Sequence, residues 1–424
     1  MNNILKYSNT SNKMSGHYNE LKNKNFIPKV DVNKKVKQKY DELQSHRHSN
    51  FSTKQNIKIL ALGDVSFTRD IEKHNIKYDK GRFLKPLSHV KEYLTDSDIT
   101  ICNLETLITN KGEPYSKKSP HVQFRSLPSS INALLDSGIN LVNLANNHAN
   151  DFFDEGLLDC VERLNDNGID IIGINKNNNL IKIYQYNGLK VAFLGVTRDF
   201  SKLKDTKYIN VYNLENKRKI LNQIRALKRK TDLLIVYIHW GTEYSFDENE
   251  NQRDIAQFFI DNGVNIIIGH HPHVIQNMEK LVSSKDKTQY GYVFYSLGNF
   301  LFDTHHKKSG VRNSLILKID INLEKFGTNK NINDLISFEY LPCIIHPQKG
   351  FAPIPTQKNF TKFFPDLSSK SANNLYKYID CAEKASCKEH FSNITTQDYF
   401  NKYVILLELF VLTVLCFIFI KYLK

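Results

Sequence analysis

The stretch DIAQFFIDNGVNIIIGHHPH, residues 254–273, contains the pattern that decides the fold of this chain. Its first half carries apolar residues at helical spacing and ends at Gly263, the residue type favoured where a helix terminates in a left-handed conformation. The apolar run VNIIIG follows at once and predicts a strand that is buried on both faces. Three histidines, His270, His271 and His273, come directly after that strand. The stretch therefore predicts a helix, a buried strand and a polar site at the end of the strand.

The same transition from helix to strand occurs twice more, in SSINALLDSGINLVNL (129–144) and CVERLNDNGIDIIGI (160–174). Gly138 and Gly168 occupy the helix ends in these two stretches. Further apolar runs that predict buried strands are IKILAL (57–62), DITICNL (98–104), KVAFLGV (190–196), LLIVYIHW (233–240) and YVFYSLGNF (292–300). Strands that alternate with helices predict an α/β domain with covered sheet faces. One wide sheet and two packed sheets flanked by helices both fit this many strands.

Polar residues cluster directly after these strands. In α/β sheets, ligands bind beyond the carboxyl ends of the strands, so segments that are distant in sequence converge on one edge. The sequence therefore predicts a single site built from the loops that follow the strands. Its candidate residues are Asp64, Asn103, Glu105, Asn146, Asn147, His148, Asp151, His239, Glu243, His270, His271, His273, Asn299 and Asp303.

The residue types of this set indicate a divalent metal. Carboxylate oxygens, amide carbonyls and imidazole nitrogens, without thiolates, suit Mn, Zn, Fe or Mg better than a sulfur-loving metal. His271 and His273 project the same way from an extended loop, so both can reach one ion. An exposed histidine-rich turn would have the same local sequence and is the alternative.

Two of the candidate histidines need a hydrogen-bonding partner, and two of the candidate aspartates also suit a purely structural role. His148 and His239 are each expected to donate a second ring N–H to a carboxylate, for which Asp151 and Glu243 are the nearest candidates. Asp151 has an alternative role as the cap of the helix that follows it. Asp64, which follows a glycine after a strand, also suits an ordinary turn or helix cap.

Composition and missing motifs limit the other possible functions. The net charge of +14 suits nucleic acid, anionic lipid or a polyanionic substrate. No homeodomain, zinc-finger, RRM or basic-zipper pattern is present, so a nucleic-acid partner is not expected. The motifs GxSxG, GxxxxGK[ST] and GxGxxG are also absent, which excludes serine-hydrolase, P-loop and Rossmann chemistry.

The two ends of the chain differ in composition from the middle. Residues 1–56 are rich in Asn and Lys and predict a disordered basic arm without an apolar run of signal-peptide length. Residues 348–402 predict a stalk or a small accessory segment. The run VILLELFVLTVLCFIFI (404–420) predicts a transmembrane helix over residues 403–421, which would make this a single-pass protein of the cell membrane. A buried core helix is the alternative, and lysines at both ends of the run leave open which side of the membrane the domain faces.

Six motifs in order along the chain, GDVS, NLE, ANNHAND, HWGTEY, GHHPHVIQ and YSLGNFLFD, closely resemble those of the CapA family of capsule (poly-γ-glutamate) biosynthesis proteins. That family is itself similar to calcineurin-like metallophosphoesterases. The resemblance covers roughly residues 57–310 and implies a metallophosphatase-like domain with a four-layer α/β/β/α sandwich fold. Predicted regular structure continues to about residue 347, so the domain is expected over residues 57–347. The resemblance also implies a role in making or exporting an anionic capsule polymer such as poly-γ-glutamate, beside membrane-bound capsule synthesis proteins.

The resemblance implies roles for single residues as well. The implied ligands of one or two Mn, Zn or Fe ions are Asp64, Glu105, Asn147, His239, His271 and His273. His148, with Asp151 beside it, would contact the substrate or act as an acid. The residues that would orient ligands or contact the substrate are Asn103, Asn146, Glu243, His270, Asn299 and Asp303. Ser66 is a departure, because metallophosphoesterases usually have His there, and one metal position therefore lacks a ligand.

Three functions remain open from the sequence. The first is a capsule-assembly protein that binds metal and handles the polymer with little or no hydrolysis. The second is an active metal-dependent hydrolase of phosphoester or γ-glutamyl linkages. The third is a metal-free membrane scaffold, against which Glu105 and the His271–His273 pair argue. The missing imidazole at Ser66 favours the first function over the second.

Overall fold

The computed structural model describes residues 32–49, 54–116, 118–176, 179–198, 200, 206–303, 308–327 and 331–363. The predicted transmembrane helix at 403–421 and most of the predicted arm and stalk lie outside these residues. Within the described residues, no helix is both long enough and apolar enough to cross a membrane. The described residues adopt a mixed α/β fold.

Strands and helices alternate along most of this range. In chain order the strands are β1 (Asn56–Val65), β2 (Ile99–Leu104), β3 (Leu107–Ile108), β4 (Arg125–Ser126), β5 (Leu141–Asn143), β6 (Asp170–Ile172), β7 (Ile181–Tyr186), β8 (Leu189–Arg198), β9 (Val211–Tyr212), β10 (Leu233–His239), β11 (Ile266–His270), β12 (Met278–Val282), β13 (Tyr290–Phe294), β14 (Asn299–Leu301), β15 (Asn313–Asn322), β16 (Ile336–His346), β17 (Ala352–Pro355) and β18 (Thr361–Phe363). The α-helices are α1 (Lys34–Ser49), α2 (Arg69–Asp79), α3 (Lys91–Thr95), α4 (Ile131–Asp136), α5 (Phe153–Asp166), α6 (Lys217–Lys228) and α7 (Glu250–Ile260). Short 3₁₀ helices cover Pro120–Val122, Pro128–Ser130, Ile332–Leu335 and Pro347–Lys349.

The first sheet has nine strands within the described residues, in the order β17-β16-β15-β1-β2-β5-β6, with β14 also beside β1 and β18 beside β16. The strands β1, β2, β5 and β6 are parallel, and β15, β16 and β17 form an antiparallel edge. Helices α4 and α5 contribute Leu134 and Leu157 to the core that covers this sheet. Every position of β2 is buried, which explains its uninterrupted apolar sequence.

The second sheet has seven strands among the described residues, in the order β12-β13-β11-β10-β8-β7, with β9 beside β8. Its central strands β8, β10, β11 and β13 are parallel. Helices α6 and α7 bury Ile224 and Phe259 in one core with Val236 of β10 and Ile267 of β11. The sequence left one wide sheet and two sheets open, and the described residues form two large sheets.

Contacts between β2 and β10, and between β5 and β8, show that the sheets approach each other. The hydroxyl of Tyr237 in β10 lies 3.4 Å from the carbonyl oxygen of Ile101 in β2. A Cβ atom placed on Gly195 in β8 would lie 2.4 Å from Oδ1 of Asn143 in β5. Only glycine therefore fits at position 195, and the ends of the two sheets can meet.

The three predicted helix ends are confirmed by the backbone. Gly138, Gly168 and Gly263 have φ angles of 75°, 72° and 89°, all in the left-handed region. Each glycine ends a helix and is followed within a few residues by β5, β6 or β11. Glycine adopts this conformation without the steric penalty that a Cβ atom brings, so these turns are determined locally.

The predicted strand YVFYSLGNF is divided between the two sheets. Its first part, β13, belongs to the second sheet, and its last part, β14, pairs with β1 in the first. Gly298 turns the chain between them with a φ of 69°. A Cβ atom on Gly63 would lie 2.1 Å from the carbonyl oxygen of Gly298, which instead accepts the backbone N–H of Asp64 at 3.0 Å. Glycine at position 63 therefore allows the chain to cross between the sheets beside Asp64.

The described part of the N-terminal arm differs from the predicted disorder, because residues Lys34–Ser49 form α1. Tyr40 and Arg47 on this helix are buried. Arg47 Nη1 donates to the carbonyl oxygen of Gly138 at 2.9 Å, and the Tyr40 hydroxyl donates to that of Gly168 at 3.0 Å. These carbonyls follow the last turns of α4 and α5, where the helices themselves provide no donors. Long-range contacts thus order a segment whose composition predicts disorder.

The predicted domain boundary at residue 347 also differs from the structure. Strand β17 pairs with β16, with Cys343 opposite Pro355, and β18 pairs with β16, with Tyr340 opposite Thr361. Residues 348–363, which the sequence assigned to a stalk, therefore extend the antiparallel edge of the first sheet.

Candidate metal centre

Four strand ends provide most of the candidate ligands. Asp64 lies near the end of β1 and Glu105 follows β2, the parallel neighbour of β1. His239 ends β10 and is paired with His270 at the end of the parallel strand β11. Nδ2 of Asn103 lies 3.2 Å from Nδ1 of His239, which brings the two sheet edges together. The site therefore lies between the sheets, at the carboxyl ends of their parallel strands.

Glu105 is surrounded by imidazole rings. Its Oε1 atom lies 3.6 Å from Nε2 of His148, 3.7 Å from Nε2 of His239 and 3.8 Å from Nε2 of His273. These distances are too long for hydrogen bonds. They approach the roughly 3.4 Å that separates two ligand atoms when each lies about 2.1 Å from a tetrahedral ion. His271 forms a further group with Glu105 and His239, in which the ligand atoms lie within 4.8 Å of one another.

Several buried polar atoms of this site have no hydrogen-bonding partner among the described residues. They are both carboxylate oxygens of Glu105, Nε2 of His239, Nδ1 of His271 and Oδ1 of Asn147. Leaving a buried polar group unpaired costs about 1–3 kcal/mol, and buried polar groups in proteins are generally paired. Oxygen and nitrogen lone pairs without sulfur fit a divalent metal ion, which would satisfy them together. The residues present therefore form a candidate divalent-metal site.

Asp64 is held by groups from two other segments of the chain. Its Oδ1 accepts a hydrogen bond from Nδ2 of Asn103 at 2.8 Å and lies 3.4 Å from Nδ1 of His270. Its Oδ2 lies 3.3 Å from the backbone nitrogen of His271 and 3.3 Å from Nδ1 of His273. Burial alone would raise the pKa of Asp64, but its contacts with His270 and His273 outweigh burial and hold the pKa well below the usual range. Asp64 therefore stays ionised at neutral pH.

Glu105 has the opposite electrostatic environment. Burial raises the pKa of Glu105 well above its usual range, and the charge of Asp64 raises it further. A cation in contact with both groups would reverse this effect, because an opposite charge favours the ionised form of a carboxyl. The paired carboxyls thus suit a bound cation far better than an apolar interior.

Most of the imidazoles are neutral and ready to bind metal. Burial lowers the pKa of His148 to about 4 and that of His271 to about 3. Burial also holds the pKa of His239 well below its usual range. His273 differs, because burial would lower its pKa but the carboxylates of Glu105 and Asp64 raise it to about 9. Neutral imidazole is the form that binds metal, so His273 has to release a proton when an ion binds.

Amide side chains orient the carboxylate and imidazole groups. Oδ1 of Asn299 accepts a hydrogen bond from Nδ1 of His273 at 2.8 Å, which leaves Nε2 of that ring available to an ion. Asn143 and Asn146 place their Nδ2 atoms 3.0 and 3.4 Å from Oδ1 of Asn103. Asn143 was not among the residues selected from the sequence. It ends β5, so the position of polar residues at strand ends would have identified it.

A buried ion pair supports His148. Oδ2 of Asp151 accepts a hydrogen bond from Nδ1 of His148 at 2.8 Å, the contact expected from the sequence. Nζ of Lys118 contacts the other oxygen of Asp151 and lies 3.0 Å from Nδ1 of His148. The Phe124 ring stacks on His148 with 3.8 Å between ring centroids, and its backbone N–H donates to Asp151 at 2.7 Å. These contacts hold Nε2 of His148 toward Glu105, and no motif in the sequence indicates Lys118 or Phe124.

Backbone strain is present in the loops that carry the site. The φ angles of Arg69, Tyr244, His271 and His273 are 55°, 65°, 97° and 58°. Residues other than glycine in strained regions of this kind cost about 1–3 kcal/mol each, and such residues cluster at functional sites. The fold therefore places these side chains at an energetic cost that packing elsewhere offsets.

Glu243 does not make the contact that the sequence predicted. It was expected to accept a hydrogen bond from His239, whose Nδ1 instead lies 3.2 Å from Asn103. Glu243 is exposed, and one of its oxygens groups with ring nitrogens of His271 and His273 within 4.8 Å. The carboxylate therefore lies at the solvent side of the site.

Asp303 and Ser66 lie close to the site but contact other residues. Asp303 pairs with Arg69, which follows β1 at the start of α2. Oγ of Ser66 lies 2.9 Å from Oγ1 of Thr68, and both hydroxyls are buried. Ser66 is thus turned toward a neighbouring hydroxyl rather than completing a set of imidazole ligands.

The fold and the site define a mixed α/β protein with a candidate divalent-metal centre between two sheets. Residues 58–304, more than half of the chain, match the family described as Bacterial capsule synthesis protein PGA_cap. The chain belongs to that family, which confirms the resemblance found in the six sequence motifs.

Two named proteins are similar to the chain in sequence, and one solved structure overlaps with its fold, each over part of the chain. It is 28% identical over 314 residues to the PGA biosynthesis protein CapA of Bacillus subtilis (strain 168), with 71% of this chain and 74% of that protein covered. It is 32% identical over 252 residues to the capsule biosynthesis protein CapA of Bacillus anthracis, with 57% of this chain and 59% of that protein covered. The solved NAD nucleotidase (NadN) of Haemophilus influenzae overlaps with a TM-score of 0.39 at 12% identity, covering 79% of this chain and 60% of the other.

Proposed function

We propose that this protein takes part in the assembly or export of an anionic capsule polymer of the poly-γ-glutamate type, which it binds at a divalent-metal centre with little or no hydrolysis. Membership of the capsule-synthesis family and the name of the Bacillus anthracis relative support the role in capsule formation. The name of the Bacillus subtilis relative, a PGA biosynthesis protein, supports the polymer. The observation that carries the metal centre is the set of unpartnered buried ligand atoms around Glu105.

The metal centre would be built from residues of both sheets. The side chains that would hold one or two ions of Mn, Zn or Fe are Asp64, Glu105, Asn147, His239, His271 and His273. When bound, a divalent metal supplies positive charge that attracts carboxylates and polarises carbonyl groups. His148 is positioned by Asp151 and packed against Phe124, so it can hydrogen-bond to a group bound beside Glu105.

Weak hydrolysis follows from the residue at position 66. A dinuclear hydrolase uses one ion to orient the scissile group and a second ion to help generate hydroxide. Ser66 is 1% exposed and its hydroxyl is paired with that of Thr68, so it does not replace an imidazole ligand. A second ion would therefore be held by fewer ligands than the first, and hydroxide formation would be inefficient.

Metal content of the purified full-length chain tests the metal centre. The protein is expected to contain Mn, Zn or Fe, or to take up about one or two ions in titration. The double variant His271→Ala, His273→Ala is expected to lose this uptake. The matched control His46→Ala, His48→Ala removes two exposed histidines from α1 and should bind as much metal as the wild type. A wild-type chain that takes up no metal would leave these loops with a recognition role only.

Binding of the polymer tests the rest of the proposal. The metal-loaded chain is expected to bind γ-linked oligoglutamate with an affinity that falls as salt screens the charges. Generic phosphoesters should be turned over weakly or not at all at saturating Mn²⁺. Ser66→His should raise the metal content toward two ions and increase phosphoester turnover. A wild-type chain that holds metal but binds no oligoglutamate would contradict the assembly role.

An active metal-dependent hydrolase of phosphoester or γ-glutamyl linkages is the second candidate. The observation that favours it is the His148–Asp151 pair, which holds Nε2 of His148 3.6 Å from Glu105. Rapid wild-type cleavage of bis(p-nitrophenyl) phosphate or of γ-linked oligoglutamate, abolished in His148→Ala, would establish this function instead.

The proposal includes a four-layer α/β/β/α arrangement like that of calcineurin-like metallophosphoesterases and a single-pass membrane anchor. Helices packed on each sheet and the approach of β2 to β10 support the layer order. The apolar run at 404–420 supports the anchor, and membrane-bound capsule synthesis proteins would then be the partners. Truncation after Asn401 should convert a protein that requires detergent into one that does not. A truncated form that still sediments with membranes would refute the anchor.

A further inference from the structure

Arg69 lies beside the candidate metal centre, packed on two aromatic rings. Its guanidinium carbon lies 4.7 Å from the centroid of the Phe124 ring and 5.6 Å from that of the Phe302 ring. Phe124 stacks on His148 at 3.8 Å between centroids, and the Phe302 ring lies 4.8 Å from that of His273. The arginine therefore reaches the centre from the side of these two histidines.

Arg198 has an equivalent position near the other histidines. Its guanidinium carbon lies 4.8 Å from the centroid of the Phe200 ring. That ring lies 4.8 Å from the ring of His271 and 5.7 Å from the ring of His239. Each arginine thus packs on phenylalanine rings that contact the histidines of the site, and the rings beside Arg69 contact different histidines from the ring beside Arg198.

The orientation of Arg69 is set by the protein. Its Nη2 atom is bound to the carboxylate of Asp303, whose side chain is 2% exposed, whereas 29% of the Arg69 side chain is exposed. The backbone of Arg69 has a φ of 55°, a conformation that costs energy for any residue except glycine. A guanidinium that is held along one edge in this way still presents donors to a ligand. Lys118, by contrast, is buried against Asp151 and His148.

We propose that Arg69 and Arg198 form an anion clamp on two sides of the metal centre, which binds two carboxylates of one γ-linked polyglutamate chain. This inference rests on the function proposed above. Guanidinium groups match carboxylates through paired N–H donors, and aromatic packing keeps them in a fixed plane. A chain of γ-linked glutamate offers one free carboxylate per residue, so two carboxylates of one chain would pair with the two arginines while a third group approaches the metal. A phosphoester presents the same oxyanion chemistry and is the other source of a ligand.

The clamp predicts a specific loss of affinity when arginine is replaced by lysine. Lysine keeps the charge and the pairing with Asp303 but lacks the planar fork, so Arg69→Lys and Arg198→Lys should each weaken oligoglutamate binding by about tenfold. The double variant should bind more weakly than either single variant, because each substitution removes one of the two paired contacts with the chain. Arg225→Lys, an exposed position in the last turn of α6, is the matched control and should bind like the wild type.

The experiment is calorimetric titration of the full-length, Mn²⁺-loaded chain with γ-linked octaglutamate, with metal content measured for every variant. Two further probes are the same oligomer with amidated carboxylates and bis(p-nitrophenyl) phosphate. The amidated oligomer should not bind, and the phosphodiester should bind more weakly than octaglutamate. Unchanged metal content in the variants shows that the centre remains folded. If Arg69→Lys loses metal, Arg198→Lys alone decides the outcome.

The possible results separate the clamp from the proposed function. If the wild type binds octaglutamate and both single variants bind it as tightly as Arg225→Lys does, the clamp is refuted and the assembly role stands. If the phosphodiester binds more tightly than octaglutamate and depends on the arginines, the carboxylate assignment is wrong. If the metal-loaded wild type binds no oligoglutamate at all, both the clamp and the proposed function fail.

Discussion

Replacing Glu105 by Gln should separate two effects of its buried carboxyl group. Both oxygens are buried without partners, and burial raises the pKa of Glu105 well above its usual range. The metal-free fold therefore favours the uncharged form of this group. Gln has a similar shape and no charge, so its burial costs less than that of a carboxylate. Metal-free Glu105→Gln is expected to be at least as stable as the metal-free wild type.

With metal bound, the same substitution should be costly. Oε1 of Glu105 is the atom that the Nε2 atoms of His148, His239 and His273 face at 3.6 to 3.8 Å. Loss of a residue that merely orients a ligand weakens metal affinity by about 10–100-fold, so loss of a ligand should cost about 100-fold or more. At a metal concentration of 100 times its Kd, the wild type gains about 2.7 kcal/mol of stability. A variant with a 100-fold higher Kd gains only about 0.4 kcal/mol at that concentration.

Urea unfolding of the wild type and the variant, each with chelator and with Mn²⁺, measures both effects. Glu155→Gln, at an exposed position on α5, is the matched control and should retain the full gain on metal binding. Two results would refute the reasoning. One is a Glu105→Gln variant that keeps the full metal-dependent gain, and the other is a loss of several kcal/mol in the metal-free state, because either would make Glu105 a structural group.

Three further predictions address the surrounding structure. Lys118→Met should lower the free energy of unfolding by about 3–5 kcal/mol, because it leaves the buried carboxylate of Asp151 without its cation. Urea unfolding measures the loss against the control Lys230→Met at an exposed position, and equal stability of the two variants would contradict the prediction. Gly63→Ala should destabilise by about 1–3 kcal/mol or more, because the added Cβ would lie 2.1 Å from the carbonyl oxygen of Gly298; an unchanged melting temperature would show that β1 and β14 can separate freely. The affinity for metal should rise from about pH 6 to pH 8, by about tenfold per pH unit for each proton released. The reason is that the pKa of His273 is raised to about 9, so a proton must leave before the ring binds metal. Calorimetry in two buffers that differ in ionisation enthalpy measures the proton release, and an affinity independent of pH would argue against His273 as a ligand.

The family and the ligand types follow from local sequence patterns. Gly138, Gly168 and Gly263 mark helix ends because only local sterics decide where a left-handed residue is tolerated. Apolar runs mark the buried strands because burial on both faces excludes polar side chains. Polar residues at the ends of β1, β2, β10 and β11 then converge, since parallel strands that neighbour one another end at the same edge.

Other features depend on contacts between residues far apart in the chain, which no local pattern reports. The run YVFYSLGNF is divided between two sheets because Gly63 lets the carbonyl of Gly298 approach β1. Helix α1 forms in a basic, Asn-rich segment because Arg47 and Tyr40 donate to helix-end carbonyls elsewhere in the fold. Such pairings have no periodicity or motif of their own, so only the tertiary structure decides them.

The site shows the same division. The carboxylates and imidazoles were identified from the sequence because they directly follow strands. Lys118 and Arg198 were not identified, because their roles depend on contacts that form only on folding. Lys118 pairs with the buried Asp151, and Arg198 packs on the Phe200 ring beside the histidines. The sequence by itself determined which groups can bind a metal. The packing of two sheets and their loops decided which charges surround it, because the interaction between charges depends on distance and burial rather than on position in the chain.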